Sequence, residues 1–175
     1  MPKLPPYYYE SHVKWTGQRR GELSSSHFPA IQVATPPEFH GHQDAWSPEH
    51  LYVASVNACF MTAFLAIAER TQLGFASFNC DAVGKLEKTG SGALDYQITE
   101  ITLKPTMVFL SDADRQRGTE ILEQAKRDCF ITNSIKTLVK IEPNLDSIHE
   151  INPTRDLQTA KLPNNIQADR SISET

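Results

Sequence analysis

The sequence predicts an α+β fold: an antiparallel sheet, a long buried central helix and a second helix pair, in a single domain over residues 1–151. Three observations carry this. The run Leu51 to Ala68 has no charged residue and follows a helix start at Ser47-Pro48-Glu49. Two strand-like segments flank the turn Thr89-Gly90-Ser91-Gly92. A charged amphipathic stretch, EILEQAKRDCF, and a short apolar one, LVKI, come after them. Runs of antiparallel strands with two helices pack as a sheet with helices on one face.

Each element follows from local chemistry. Tyr7 to Trp15 alternates, with Tyr9, Val13 and Trp15 on one side and Glu10, His12 and Lys14 on the other. That period predicts a half-buried strand. Thr16 to Gly21 is a turn bracketed by glycines, and 22–27 and 30–35 are short strands. Pro36-Pro37 opens a loop. Ser47 then caps a helix, Pro48 suits its first position, and Glu49 complements the positive end of its dipole. The helix runs to about Thr71, with Gly74 past its end. Strands over 76–88 and 93–104 form a hairpin, and Met107 to Leu110 can extend the second past Pro105. Ser111-Asp112-Ala113-Asp114 starts the next helix with an acidic capping-box residue. Asp128-Cys129 marks a break. A short helix from Phe130 to Thr137, a strand from Leu138 to Glu142 and a last strand over Ser147 to Ile151 follow. Residues 152–175 are polar and are expected to be a disordered tail or a surface arm.

Composition narrows the function. The 175 residues carry a net charge of −4. Lys and Arg are scattered, so no basic stripe suggests nucleic acid. MPKLPPYYYE has no apolar signal core, and a cytoplasmic location is expected. The Leu51–Ala68 run reaches the lower length of a membrane span. Ser55, Asn57 and Thr62 interrupt it, and its flanks lack positive bias, so no membrane is expected. A helix apolar all round fits the centre of a dimer or of a large core.

The three cysteines are an odd number without a CxxC pair. They make neither a disulfide framework nor a zinc ribbon. In a reducing compartment a disulfide between them would be transient and catalytic. Cys59 lies mid-helix, twelve residues past Ser47, too deep to gain from the helix terminus. Burial alone would raise its pKa and deactivate it, so reactivity needs a nearby cation. Arg19 and Arg20, in a glycine-flanked turn, are the candidates, and Glu49 is a carboxylate that could hold one inward. Cys129, at a helix break, has freedom to resolve a sulfenic acid on Cys59. The plain alternative makes both thiols core residues. Cys80 shares a strand face with Phe78 and Ala82 and reads as core. His40-Gly41-His42, with Asp44 or His50, is a weak metal pattern and reads as a solvated loop. Phe28, Phe39, Trp46, Phe60 and Met61 line either a substrate pocket or the core.

SPEHLYVASVNACFMTAFLAIA resembles the first-cysteine helix of the OsmC/Ohr proteins, the osmotically inducible and organic-hydroperoxide-resistance family. CFITNSIKTLVKIEP resembles their second-cysteine segment, and TGQRRGEL their early TGGRxGR turn. The likeness runs in matching order from about residue 8 to 151. It implies an intertwined homodimer with two active sites at the subunit interface. It implies reduction of organic hydroperoxides by a two-cysteine mechanism, without metal, haem or other cofactor. Carried over, Cys59 is the peroxidatic and Cys129 the resolving cysteine, Glu49 is the glutamate of the PE motif, and Arg19 is the turn arginine. The turn reads GQRRG, which leaves Arg20 as the alternative, and Phe130 stands where the family has proline. The implied reductant is an external thiol or dithiol, which in the family can be a lipoylated protein. The rival expectation is a non-catalytic OsmC-like binding protein holding an apolar ligand or partner in the dimer cleft.

Overall fold

The computed structural model describes residues 5–93 and 95–147. The tail expected over 152–175, and the strand expected over Ser147–Ile151 beyond its first residue, lie outside the described residues. Two sheets form. The first is antiparallel, in the order β1 (His12–Gly17), β2 (Arg20–Ser25), β3 (Phe28–Ala34). Its first turn is tighter than expected, because Gly17 takes φ +126° and Gln18 φ 47°. Glycine enters that region at little cost. The Trp15 indole N–H donates to the Gln18 carbonyl at 2.9 Å and closes the turn.

The half-buried first strand expected from alternation is not found in the single chain. Trp15 is 74% exposed, and Val13 and Phe28 are also exposed. The reason is that none of the described helices covers the first sheet.

Helix α1 spans Pro48–Thr71. The Ser47 side chain accepts from the His50 N–H, and Pro48 occupies the first turn. The helix ends at Gln72 in the left-handed conformation, two residues before Gly74. It does not bury all round. Val56, Phe60, Phe64, Ile67 and Ala68 face the core, whereas Met61 and Leu65 are exposed. By length and composition α1 could cross a membrane, a test that the core helix of a soluble protein also passes.

Strands β4 (Phe75–Lys88) and β5 (Tyr96–Phe109) form the long antiparallel hairpin. Its loop is wider than a four-residue turn. Asp95 closes it, its carbonyl accepting from the Thr89 N–H at 2.7 Å and its carboxylate from the Gly92 N–H at 2.6 Å.

Helices α2 (Asp112–Asp128) and α3 (Phe130–Ser134) then lead to β6 (Leu138–Ile141) and β7 (Asn144–Ser147). Both late strands pair with β5 in parallel, where an antiparallel sheet was expected. The helices form a crossover that returns the chain to the starting end of β5, and such a connection makes a parallel pair. β6 faces residues 100–103 of β5 and β7 faces 106–109. Pro105, which has no N–H to offer, falls in the gap between them.

The core lies between α1, α2 and the second sheet. Phe64 stacks on Phe78 with centroids 4.9 Å apart and meets Phe75 edge-on. Ile101, Leu103, Met107 and Phe109 of β5 and Leu122 and Ala125 of α2 complete it. Ser111 caps α2 as expected, its Oγ accepting from the Asp114 N–H and its hydroxyl donating back to Asp114 Oδ2. Gly118 of α2 lies directly on the Phe109 ring, where a Cβ would collide with it.

Candidate functional site

The two thiols meet where α3 packs on α1. Cys129 is fully buried and caps α3, its Sγ accepting from the Thr132 N–H at 3.4 Å. Cys59 is half-buried. The Cys129 side chain and the Phe130–Ile131 backbone lie beside its thiol and act on it. Burial, and next the Cys129 side chain, push the Cys59 thiol above its ordinary value, and the neighbouring backbone only partly offsets this. A thiol so placed is a poor nucleophile without a cation beside it.

The other expected site residues stand at the N-terminal end of α1. Glu49 is in the first turn, with Oε2 buried and without a hydrogen-bond partner. It lines a cavity of about 730 Å³ between α1, the Pro36–Phe39 segment and the β4–β5 hairpin, with Trp46, Val53, Asn57 and Tyr96. Gly84 of β4 faces Val53 of α1 here, at a distance that leaves no room for a Cβ. Arg19 Nη1 donates to the Phe39 carbonyl at 2.6 Å. Arg20 pairs with Asp44 at 2.7 Å, and that guanidinium holds the Asp44 carboxyl below its ordinary value. Among the described residues neither arginine pairs with Glu49. Ten residues separate Glu49 from Cys59 on one helix, which is about 15 Å at ~1.5 Å per residue. A single chain therefore brings Cys59 and Cys129 together but leaves the Arg19–Glu49 end a helix segment away.

Cys80 packs against the core, and burial pushes its thiol up to about 11. Phe60 is core, whereas Phe39 and Trp46 line the cavity and Phe28 and Met61 are exposed. Among the described residues no three His, Cys, Asp or Glu side chains gather as metal ligands.

Two polar residues were missed by sequence reasoning. Asn57 donates from Nδ2 to the Cys80 carbonyl at 2.8 Å, while its Oδ1 is buried without a partner. Thr132 Oγ1 is likewise buried and unpartnered. Its place three residues after the helix-capping Cys129 is the signal that could have found it, since that position bonds back to the cap.

Fold and thiols together define an α+β protein with a two-cysteine site between its central helix and the short helix α3. Residues 41–144 match the family described as OsmC-like protein, and the chain belongs to that family. An OsmC-like protein of unknown function from Vibrio cholerae shares the fold at a TM-score of 0.71, with 24% identity over 79% of this chain and 99% of the other. An organic hydroperoxide resistance protein from Elizabethkingia anophelis aligns at a TM-score of 0.64, with 19% identity over 84% and 99%. The organic hydroperoxide resistance protein OhrB of Bacillus subtilis aligns at 0.56, with 21% identity over 79% and 98%. No curated protein matches the chain by sequence.

Proposed function

We propose that the protein is a cytoplasmic thiol peroxidase that reduces organic hydroperoxides to alcohols. The meeting of Cys59 and Cys129 carries this reading. The half-exposed thiol can reach a peroxide, and the closed one waits in contact to resolve the product. Family membership, and hydroperoxide-resistance proteins among the structures sharing the fold, support peroxide as the substrate class.

The active form is a homodimer. The exposed apolar face of α1 and the uncovered first sheet call for a partner, and an interface of roughly 2,000 Å² or more would be typical for an obligate pair. An antiparallel crossing of two copies of α1 would run the first turn of one copy's helix alongside the Cys59 segment of the other. The buried, unpartnered Glu49 Oε2 then receives a guanidinium, with Arg19 as donor because Arg20 is held by Asp44. Arg19 stabilises the Cys59 thiolate and polarises the O–O bond, and Glu49 orients Arg19.

Cys59 attacks the terminal peroxide oxygen, releasing the alcohol and leaving a sulfenic acid. The Cys129 sulfur displaces hydroxide, which leaves as water with the Cys129 proton, and an intrachain disulfide forms. An external dithiol, such as a lipoylated protein, reduces it.

The 730 Å³ cavity favours a second reading, a non-catalytic protein that holds an apolar ligand. Consumption of cumene hydroperoxide at pH 7 with dithiothreitol or dihydrolipoamide decides between them. The peroxidase turns over with dithiol and loses turnover in Cys59→Ser. The binding protein reacts no faster than free cysteine.

A further inference from the structure

We propose that Thr132 is a positioning residue for disulfide closure, its hydroxyl turning onto the Cys129 sulfur as that thiol gives up its proton to attack. The assignment rests on the reading that Cys59 and Cys129 close a disulfide during turnover.

Three observations meet at this hydroxyl. It is buried and unpartnered, an arrangement that costs stability. It sits on the residue whose backbone N–H already donates to Cys129 Sγ at 3.4 Å. And Cys129 has no exposed surface, so water cannot solvate a charge that develops there. A thiol is a weak acceptor and needs no second donor, whereas a thiolate does. Threonine in a helix has two accessible χ1 rotamers, so its hydroxyl can be re-aimed without moving the backbone. In α3 the residue three before Thr132 is Cys129. Thr132 can therefore give the thiolate two donors, the backbone one already in place and the hydroxyl held in reserve. Cys59 is served differently, by the Phe130–Ile131 backbone beside it and by its half-exposed position.

In the step concerned an S–S bond forms between Cys129 and Cys59, and the S–O bond of the sulfenic acid breaks. The Cys129 sulfur is oxidised and the Cys59 sulfur reduced. The proton from Cys129 leaves with the hydroxide as water.

The test compares wild type, Thr132→Val and Thr132→Ser by stopped flow, with closure driven either by cumene hydroperoxide or by diamide. Diamide oxidises a dithiol without any sulfenic acid, so it reads Thr132 independently of peroxide chemistry. Dimedone trapping follows the sulfenic acid separately. We expect Thr132→Val to close about tenfold more slowly with either oxidant, equivalent to one missing hydrogen bond of about 1.4 kcal/mol. The pH of half-maximal closure should move upward, Thr132→Ser should close at the wild-type rate, and the unfolding midpoint of Thr132→Val should be no lower. Closure of Thr132→Val at the wild-type rate with diamide would overturn the proposal, as would Thr132→Ser being as slow as Thr132→Val. A Thr132-dependent diamide reaction with no peroxide-derived sulfenic acid would uphold the role of Thr132 and overturn the peroxidase reading.

Discussion

The Cys59 thiol lies beside the Cys129 side chain across the α1–α3 contact, although the two lie on elements separated by the whole β4–β5 hairpin and α2. Disulfides need close, correctly aimed Cβ atoms, and most cysteine pairs in a fold lack them. Here hairpin and crossover return the chain to α1, and the break at Cys129 aims the second thiol. The two thiols are unequally buried, Cys59 half-exposed and Cys129 closed, and in the proposed peroxidase this would order the chemistry.

Subunit mixing tests where the cation comes from. Arg19→Ala and Cys59→Ser homodimers should each be nearly inactive. Heterodimers of the two variants hold one complete site, built from Cys59 of one copy and Arg19 of the other. Activity should rise toward half the wild-type value per dimer at most, the exact share depending on exchange. No recovery, in heterodimers verified by native mass spectrometry, would mean that Arg19 serves Cys59 of its own chain.

The pH profile separates the two arginines. Only the thiolate attacks peroxide, and burial with the Cys129 contact hold the Cys59 thiol above its ordinary value. Without the proposed cation that upward shift stands, so Cys59 stays protonated at pH 7. Arg19→Ala should therefore show a peroxide rate that climbs with pH through and beyond about 8.5. At pH 7 it should be slower by about a hundredfold, or ~2.7 kcal/mol of barrier. Arg20→Ala should keep a near wild-type profile, because its guanidinium is engaged with Asp44. The reverse pattern in stopped-flow assays would move the cation to Arg20.

Packing makes a prediction far from the thiols. A methyl at Gly118 would collide with the Phe109 ring where α2 lies on β5. Gly118→Ala should destabilise by about 1–3 kcal/mol in urea unfolding, through overpacking. Alanine is the better helix former, so a stabilised variant would show that α2 can lift from the sheet without penalty.

Much of this was legible in the sequence because local signals coincided with tertiary ones. Ser47-Pro48-Glu49 marked the start of α1 to the residue, and Ser111 with Asp114 that of α2. The cysteines stood out by their setting, one in an uncharged run and one at a helix break. The parallel pairing of β6 and β7 did not show, since strand direction is set by the crossover and leaves no mark in a four-residue strand. β5 reached Phe109 through Pro105 because the proline met a gap in its neighbours, which depends on register. Alternation in β1 was real, but it reports only that one face is apolar and says nothing of whether this chain covers it. The orphaned oxygens of Glu49, Asn57 and Thr132 could not be foreseen, because being unpartnered is a property of the packed state.

The most direct measurement is a disulfide map after a single turnover. Reduced protein is treated with one equivalent of cumene hydroperoxide, quenched with an alkylating agent, digested and read by mass spectrometry. A Cys59–Cys129 peptide pair within one chain is expected, with Cys80 alkylated as the free thiol. A bond that includes Cys80, or full alkylation of all three cysteines, would contradict it.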